Sequence, residues 1–266
     1  MNIIVCVKQI QDPEIPASKF RLDADGKKVV PPEGIPLVIN PYDEHAVEMA
    51  LRIKEQHGGH ITILTIGDNS ATRVVKHALA MGADEGILLQ DPAFEAGDSF
   101  ATAHILSRAV QKIKEFDLIL CGRQAADWDE GLVGSILAEN LGLSLITLAE
   151  SADFVEGRWQ VKRVILDGYQ IFVVPPPAVL TVSHESGPPR LPSGWGIITA
   201  SKKEIPVWDA KKIDVEPSQI GADSSRRNLA KLFLPERERT CEMIEGEKPE
   251  EAAGKLAKKM REAGIL

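Results

Sequence analysis

Five short, near-continuously apolar runs recur through the first half of the chain: IIVCV (residues 3–7), ITILTIG (61–67), GILLQ (86–90), DLILC (117–121) and LITL (145–148). Runs this short and this apolar are the pattern of strands buried on both faces. Helix-like stretches separate them. In INPYDEHAVEMALRIKEQHGG, Asn40 is placed to cap a helix, Pro41 suits its first position, and Asp43 and Glu44 favour its first turn. Ala46, Val47, Ala50, Leu51 and Ile53 follow at helical spacing, and Gly58 and Gly59 close the stretch. Ser70 is expected to cap a second helix that runs to Met81 and stops at Gly82, with further helices over residues 98–116 and 132–141. Strand and helix alternating at this rhythm predict a mostly parallel sheet with helices on both faces. Ligands of such sheets sit beyond the carboxyl ends of the strands. Residues 7–12, 66–70 and 121–129 follow three of those ends and are expected to line one pocket.

The rhythm changes after about residue 150. Turns at Glu156-Gly157 and Asp167-Gly168 divide β-rich runs, which predicts an antiparallel meander that Pro175, Pro176 and Pro177 interrupt. An earlier hairpin is expected around Asp23-Ala24-Asp25-Gly26. SGPPRLPSGWG is too rich in Pro and Gly for regular structure, a short helix is expected over 196–203, and residues 211–246 read as polar and irregular. A closing helix places Leu256 and Met260 on one face. The expected organisation is an α/β domain over residues 1–210 that includes the meander, then an arm over 211–266 of the kind that wraps a partner subunit.

A net charge of −8 argues against nucleic acid or an anionic membrane as the main partner. Cys6, Cys121 and Cys241 are far apart and odd in number, which predicts reduced thiols and neither a disulfide framework nor a CxxC metal site. No apolar run approaches the roughly 20 residues of a membrane span, and MNIIVCVKQI reads as a first strand in place of a signal peptide. A cytoplasmic protein without membrane insertion is expected.

The stretch CGRQAADWDEGLVG, residues 121–134, joins a strand to a helix through a turn of small residues. A helix N-terminus offers free N–H groups and a partial positive charge, so it can hold phosphate without a lysine. Yet the turn carries Asp127, Asp129 and Glu130 against the single cation Arg123. The alternatives at this point are a nucleotide loop, carboxylates that merely cap the helix, and a weak likeness to the start of a calcium loop, which the missing late glutamate opposes. GxSxG, HExxH and the P-loop pattern are all missing, so no catalytic residue and no metal site is assigned. The six histidines lie mostly on expected helices or at their ends.

The ordered set VCVKQIQD (5–12), INPYDEHAVEMALRIKE (39–55), ALAMGADEGILL (78–89) and GRQAADWDEGLVG (122–134), continuing through VKRVILDG (161–168), PPAVLTVS (176–183) and PPR (188–190), resembles the β subunit of electron transfer flavoproteins over nearly the whole chain. The resemblance implies an adenine nucleotide α-hydrolase-like domain in a heterodimer whose α subunit holds the redox FAD. The β subunit binds AMP structurally, or a second FAD that accepts hydride from NADH in electron-bifurcating members. It also presents a docking loop to acyl-CoA dehydrogenases or related flavin dehydrogenases, as in fatty acid β-oxidation. A partner-independent nucleotide-sensing module of the universal-stress type shares this layered fold and is the alternative outside the family.

Carried over by motif, the nucleotide-binding positions are Cys6, Lys8, Asn40, Pro41, Tyr42, Asp43 and Ile66, together with Gln124, Ala125, Ala126, Asp127, Trp128, Asp129, Glu130, Gly131, Leu132, Val133, Gly134 and Ser135. The resemblance places Arg163 near the α-subunit flavin and makes Arg190, Leu191 and Trp195 the docking residues, with Trp195 in a mobile Gly-rich loop. The helix start departs from the family's usual Thr- and Gln-bearing patterns, so the backbone N–H groups around residues 130–134 are expected to carry phosphate, and Glu130 stands where repulsion is expected.

Overall fold

The computed structural model describes residues 1–95, 97–221, 224–234 and 241–266. Chain-order elements begin with β1 (Asn2–Cys6), then the short pieces β2 (Gln9–Ile10), β3 (Arg21–Leu22), β4 (Val29–Val30) and β5 (Val38–Ile39). There follow α1 (Pro41–His57), β6 (His60–Ile66), α2 (Thr72–Met81), β7 (Glu85–Leu89), α3 (Ser99–Ile113), β8 (Leu118–Gly122) and α4 (Val133–Leu141). The second half adds β9 (Ser144–Val155), β10 (Arg158–Ile165), β11 (Gly168–Val174), β12 (Ala178–Val182), α5 (Gly194–Lys202), β13 (Val207–Trp208) and α6 (Pro249–Glu262). The expected hairpin is present as β3 paired antiparallel with β4.

Among the described residues the main sheet has nine strands, in the order β11-β10-β9-β12-β8-β1-β6-β7-β13. From β13 to β12 every pairing is parallel, as is that of β12 with β9, while β9, β10 and β11 form the antiparallel meander. This is the α/β class that the strand–helix rhythm predicts. Alternation along each strand sorts the core into two layers. Ile3 and Val5 of β1 face a layer that contains Ala46, Val47, Val74 and Val75 of α1 and α2. Ile4 and Cys6 face the opposite layer, with Ala103, Leu106, Leu137 and Ala138 of α3 and α4.

The chain moves outward from β1 to β6 and β7, then returns to lay β8 on the other flank of β1. The strand order therefore reverses beside β1, and in sheets of this kind ligands bind beyond the carboxyl ends of the strands at such a reversal, here β1 and β8. Of the residues expected to bind nucleotide, Lys8 and those from Gln124 to Ser135 follow those two ends, while Asn40, Pro41, Tyr42 and Asp43 stand at the start of α1 and Ile66 ends β6.

Four local expectations are corrected. Ser70 does not cap α2: Asp68 accepts from its backbone N–H at 2.8 Å, and a 3-10 turn over Asn69–Ala71 intervenes. The residues after the proline run form the fully buried strand β12, inserted between β8 and β9. The fifth strand extends to Val155, because its first part pairs with β12 and its second with β10. Trp195 lies in the first turn of α5, whose cap is the Ser193 hydroxyl accepting from Gly196 N–H at 2.9 Å.

The chain divides into two compact units, Met1–Leu232 and Phe233–Leu266. Ala210, Ile213, Val215 and Ile220 belong to the core of the first. The second consists of α6 with the described residues before it, and Leu256 is 47% exposed on that helix. Among the described residues no helix is long and apolar enough to cross a membrane.

Candidate functional site at the ends of β1 and β8

Asn40 is 1% exposed and occupies the N-cap position of α1, where its carbonyl accepts from Asp43 N–H at 2.9 Å, but its side chain makes no capping bond. Its side chain turns toward the loop after β8, where Nδ2 donates to the Gln124 carbonyl at 2.8 Å and Oδ1 accepts from Ala126 N–H at 3.1 Å. A single amide thereby fixes both directions of a loop that is distant in sequence. The pairing of β2 with β5 delivers Asn40 to this place, and Asn40 N–H donates to the Lys8 carbonyl at 2.9 Å.

Asp43, one turn further into α1, performs a second join. Its Oδ2 accepts from Lys8 N–H at 2.7 Å and its Oδ1 from Gly122 N–H at 3.1 Å, so one buried carboxylate ties the ends of β1 and β8 together. Any Cβ at residue 122 would strike Asp43 Oδ1 and the Tyr42 backbone, which explains glycine there. Burial pushes the Asp43 carboxyl up to about 7, against the lowering effect of Lys8, Asn40 and Gly122.

The loop's carboxylates do not cap α4, whose start carries no side-chain cap. Each has a different partner. Asp127 takes both oxygens to Lys8 Nζ at 2.9 and 2.7 Å, Asp129 accepts from Gln124 Nε2, and Glu130 accepts from the Ser99 hydroxyl and pairs with Arg227 at 2.7 Å. Asp129 sits at φ 57°, and its N–H closes a tight turn on the Ala125 carbonyl at 2.8 Å. Arg123 lies 5.7 Å over the Tyr42 ring and donates to Gln124 Oε1 at 2.7 Å. Among the described residues, the backbone N–H groups of residues 130–135 have no acceptor. They stand at the start of a nine-residue helix, in the loop that follows β8, with Trp128 and Leu132 at 49% and 36% exposure nearby in the chain. A Cβ at residue 134 would lie 2.7 Å from Thr181 Cγ2, so Gly134 lets this first turn sit against β12. Val133 is half-buried and Ser135 follows in the same turn.

Cys6 and Cys121 are opposite each other on β1 and β8. The neighbouring Cys6 thiol, burial and the Asp43 charge push the Cys121 thiol up, the reverse of what a nucleophile needs. Pro41 opens α1, and Ile66 ends β6, the next strand along. The three segments expected around one pocket do meet, through Lys8 with Asp127 and Gln9 Nε2 donating to the Ser70 carbonyl at 3.0 Å. A groove of about 810 Å³ is lined by Gln9 and Ser70, from two of those segments, together with Leu37, Arg73, Lys76, Pro192 and Ile197; residues 121–129 do not line it.

The remaining predicted residues lie elsewhere. Arg163 is on β10 opposite Gln170 and Ala149, and its Nε is buried without a hydrogen-bond partner among the described residues. Arg190 is held by the far half of α1: Nε meets Glu48 at 2.8 Å and Nη1 pairs with Glu55. Despite burial, Arg190 and Arg52 hold the Glu48 carboxyl below its usual range. Arg52 also donates to the Ser186 carbonyl at 2.6 Å, so the stretch before Leu191 is fastened to α1 while Leu191 and Trp195 stand 89% and 78% exposed. Sequence reasoning missed Glu48, Arg52, Glu55, Ser99 and Arg227. Glu48 and Arg52 at i,i+4 within the otherwise apolar stretch 46–53 were a usable signal; nothing local marked Arg227.

The family profile described as "Electron transfer flavoprotein domain" matches residues 28–213. The chain is 38% identical to the electron transfer flavoprotein subunit beta of Thermoanaerobacterium thermosaccharolyticum, over 92% of this chain and 93% of that protein. It is 35% identical to the caffeyl-CoA reductase-Etf complex subunit CarD of Acetobacterium woodii, over the full length of both. With Protein FixA of Azorhizobium caulinodans it shares 33% identity over 88% of this chain and 85% of that protein.

The Asp43 clamp has a pH signature. A carboxyl whose folded pKa is raised from 3.8 to about 7 favours folding least once it must ionise while buried. Relative to Asp43→Asn, the native protein should lose stability by a few kcal/mol as pH rises from about 4 to about 7, then level off. Urea unfolding of both proteins across that range checks it; a difference that does not change with pH contradicts the assignment.

Proposed function

The chain belongs to the electron transfer flavoprotein family as a β-type subunit, and from that premise we propose that it has no redox chemistry of its own and supports an FAD held by an α-subunit partner. The loop after β8 binds an adenine nucleotide, AMP in this reading. The observation that carries it is the row of acceptor-less N–H groups at residues 130–135, in the loop that the Asn40 and Asp43 joins hold beyond the ends of β1 and β8. A phosphate dianion supplies what those groups lack. Ala125 and Ala126 leave room for a flat base, and Trp128 is available to stack on it.

A second FAD in the same place is the alternative reading. The start of α3, brought beside the loop by the Ser99–Glu130 hydrogen bond, gives that longer ligand a second element to lie against, with its Phe100 and Ala101 N–H groups already taken by Asp98.

The partner surface in this reading is the meander. Tyr169, Ile171 and Val173 alternate along the edge strand β11 and are all exposed, an apolar stripe that a monomer gains nothing by showing. Arg163 reaches toward the α-subunit flavin, and α6 packs on that subunit. Arg190, Leu191 and Trp195 dock a flavin dehydrogenase of the acyl-CoA type, with cytoplasmic electron transport as the setting.

Two outcomes test this reading. Denaturing the purified αβ complex and separating released nucleotides should give one FAD and one AMP per heterodimer; two FAD would establish the alternative, and one FAD alone would refute the nucleotide assignment. Trp195→Ala should slow electron transfer with the dehydrogenase by roughly 10-fold or more, the scale of an exposed aromatic anchor, with flavin content unchanged. Unaltered transfer kinetics would remove Trp195 from the docking surface.

A further inference from the structure

An acidic residue at the mouth of a phosphate site is a liability unless something cancels it. Glu130 opens the row of free N–H groups, and its carboxylate would face a nucleotide phosphate of the same sign. The cancelling charge comes from a part of the chain with no sequence relation to the loop. Arg227 Nη1 pairs with Glu130 Oε1 at 2.7 Å.

The placement of Arg227 is built. Asp98, the cap of α3, accepts from Phe100 and Ala101 N–H with one oxygen, both at 3.0 Å. With the other it accepts from the backbone N–H groups of Arg226 at 2.7 Å and Arg227 at 3.0 Å. Asp98 N–H in turn donates to the Ser225 hydroxyl at 3.1 Å, and the Arg226 guanidinium covers the Phe100 ring at 4.5 Å. Burial pushes the Asp98 carboxyl up, but those four N–H groups hold it below the usual range, so it remains a charged staple. The same carboxylate thus orders the start of α3 and the segment that delivers Arg227. Ser99, next to Asp98, holds Glu130 from the other side.

We propose that Arg227 is the counter-cation that lets this acidic loop hold a nucleotide phosphate: paired with Glu130 it makes the mouth of the site neutral and leaves donors of both the loop and the guanidinium facing the anion. The inference rests on the nucleotide reading given above. An arginine has five donors in a planar fork, and one carboxylate does not exhaust them. The 55% exposure of the Arg227 side chain leaves it reachable by a bound phosphate. Removing the arginine alone leaves a carboxylate unpaired beside the phosphate, which is worse than never having had the pair.

The test uses the intact αβ complex, freed of its β-site nucleotide by mild chaotrope dialysis, and calorimetric titration with AMP and with adenosine. Arg227→Gln should weaken AMP binding by about 10- to 100-fold and leave adenosine binding within a few-fold, because only AMP carries the phosphate. Arg227→Gln combined with Glu130→Gln should recover most of the loss, and Arg227→Lys should retain most of the affinity. These two variants separate charge neutralisation from a general loosening of the segment, which neither would rescue. Unchanged AMP affinity in Arg227→Gln, equal weakening of AMP and adenosine, or a double variant no better than the single one would each overturn the proposal while the nucleotide reading stands. A native complex that binds neither AMP nor FAD at this site would overturn the nucleotide reading and the inference with it.

Discussion

The Asp43 carboxylate is the constraint on which the rest of the site depends. Strands β1 and β8 are neighbours in the sheet, but parallel pairing stops at Cys6 and Cys121, and beyond that point the two chains would diverge into loops. By accepting from Lys8 N–H and Gly122 N–H at once, Asp43 extends the join past the last ladder contact. Asn40 then captures Gln124 and Ala126 one turn away. A buried charge is expensive, and a carboxyl pushed to about 7 shows that burial here outweighs the two amide donors. Such a group persists where it supplies a geometry that apolar packing cannot.

Helix α1 carries that constraint across the molecule. Its first turn holds the nucleotide loop, and its later turns, through Glu48, Arg52 and Glu55, hold Arg190 and the carbonyls of Ser186 and Pro188. At 1.5 Å per residue, seventeen residues make a rod of about 25 Å. The proposed nucleotide site and the proposed docking segment are therefore fastened to one rigid element whose middle is buried in the core through Ala46, Val47, Ala50 and Leu51. A bound nucleotide in this account is a structural part: it satisfies the start of α4 and fixes the loop that α1 already grips.

Much of this was legible in the sequence because strand and helix periods differ and apolar runs report both. The parallel sheet, the helix over 41–57, the meander turns and the loop after residue 121 all follow from local pattern. What was not legible depends on contacts between distant segments. Asn40 has the local signature of a cap, yet tertiary bonds to Gln124 and Ala126 outbid the helix N–H groups. The prolines before β12 signal interruption, and only the vacancy between β8 and β9 makes the next five residues a central strand. Glu130 reads as a misplaced charge until Arg227 arrives from the far end of the first unit. Trp195 lies among glycines that suggest a loose loop, while the Ser193 cap and Gly196 start a helix there.

The most direct measurement is hydrogen–deuterium exchange of the αβ complex, followed by mass spectrometry of the peptide that spans residues 129–136, with and without AMP. If the N–H groups of residues 130–135 are the phosphate donors, they exchange freely without nucleotide and slow by at least about 10-fold when AMP is bound, as newly made hydrogen bonds require. Slow exchange already in the nucleotide-free complex, or exchange that AMP does not alter, would contradict the account at its centre.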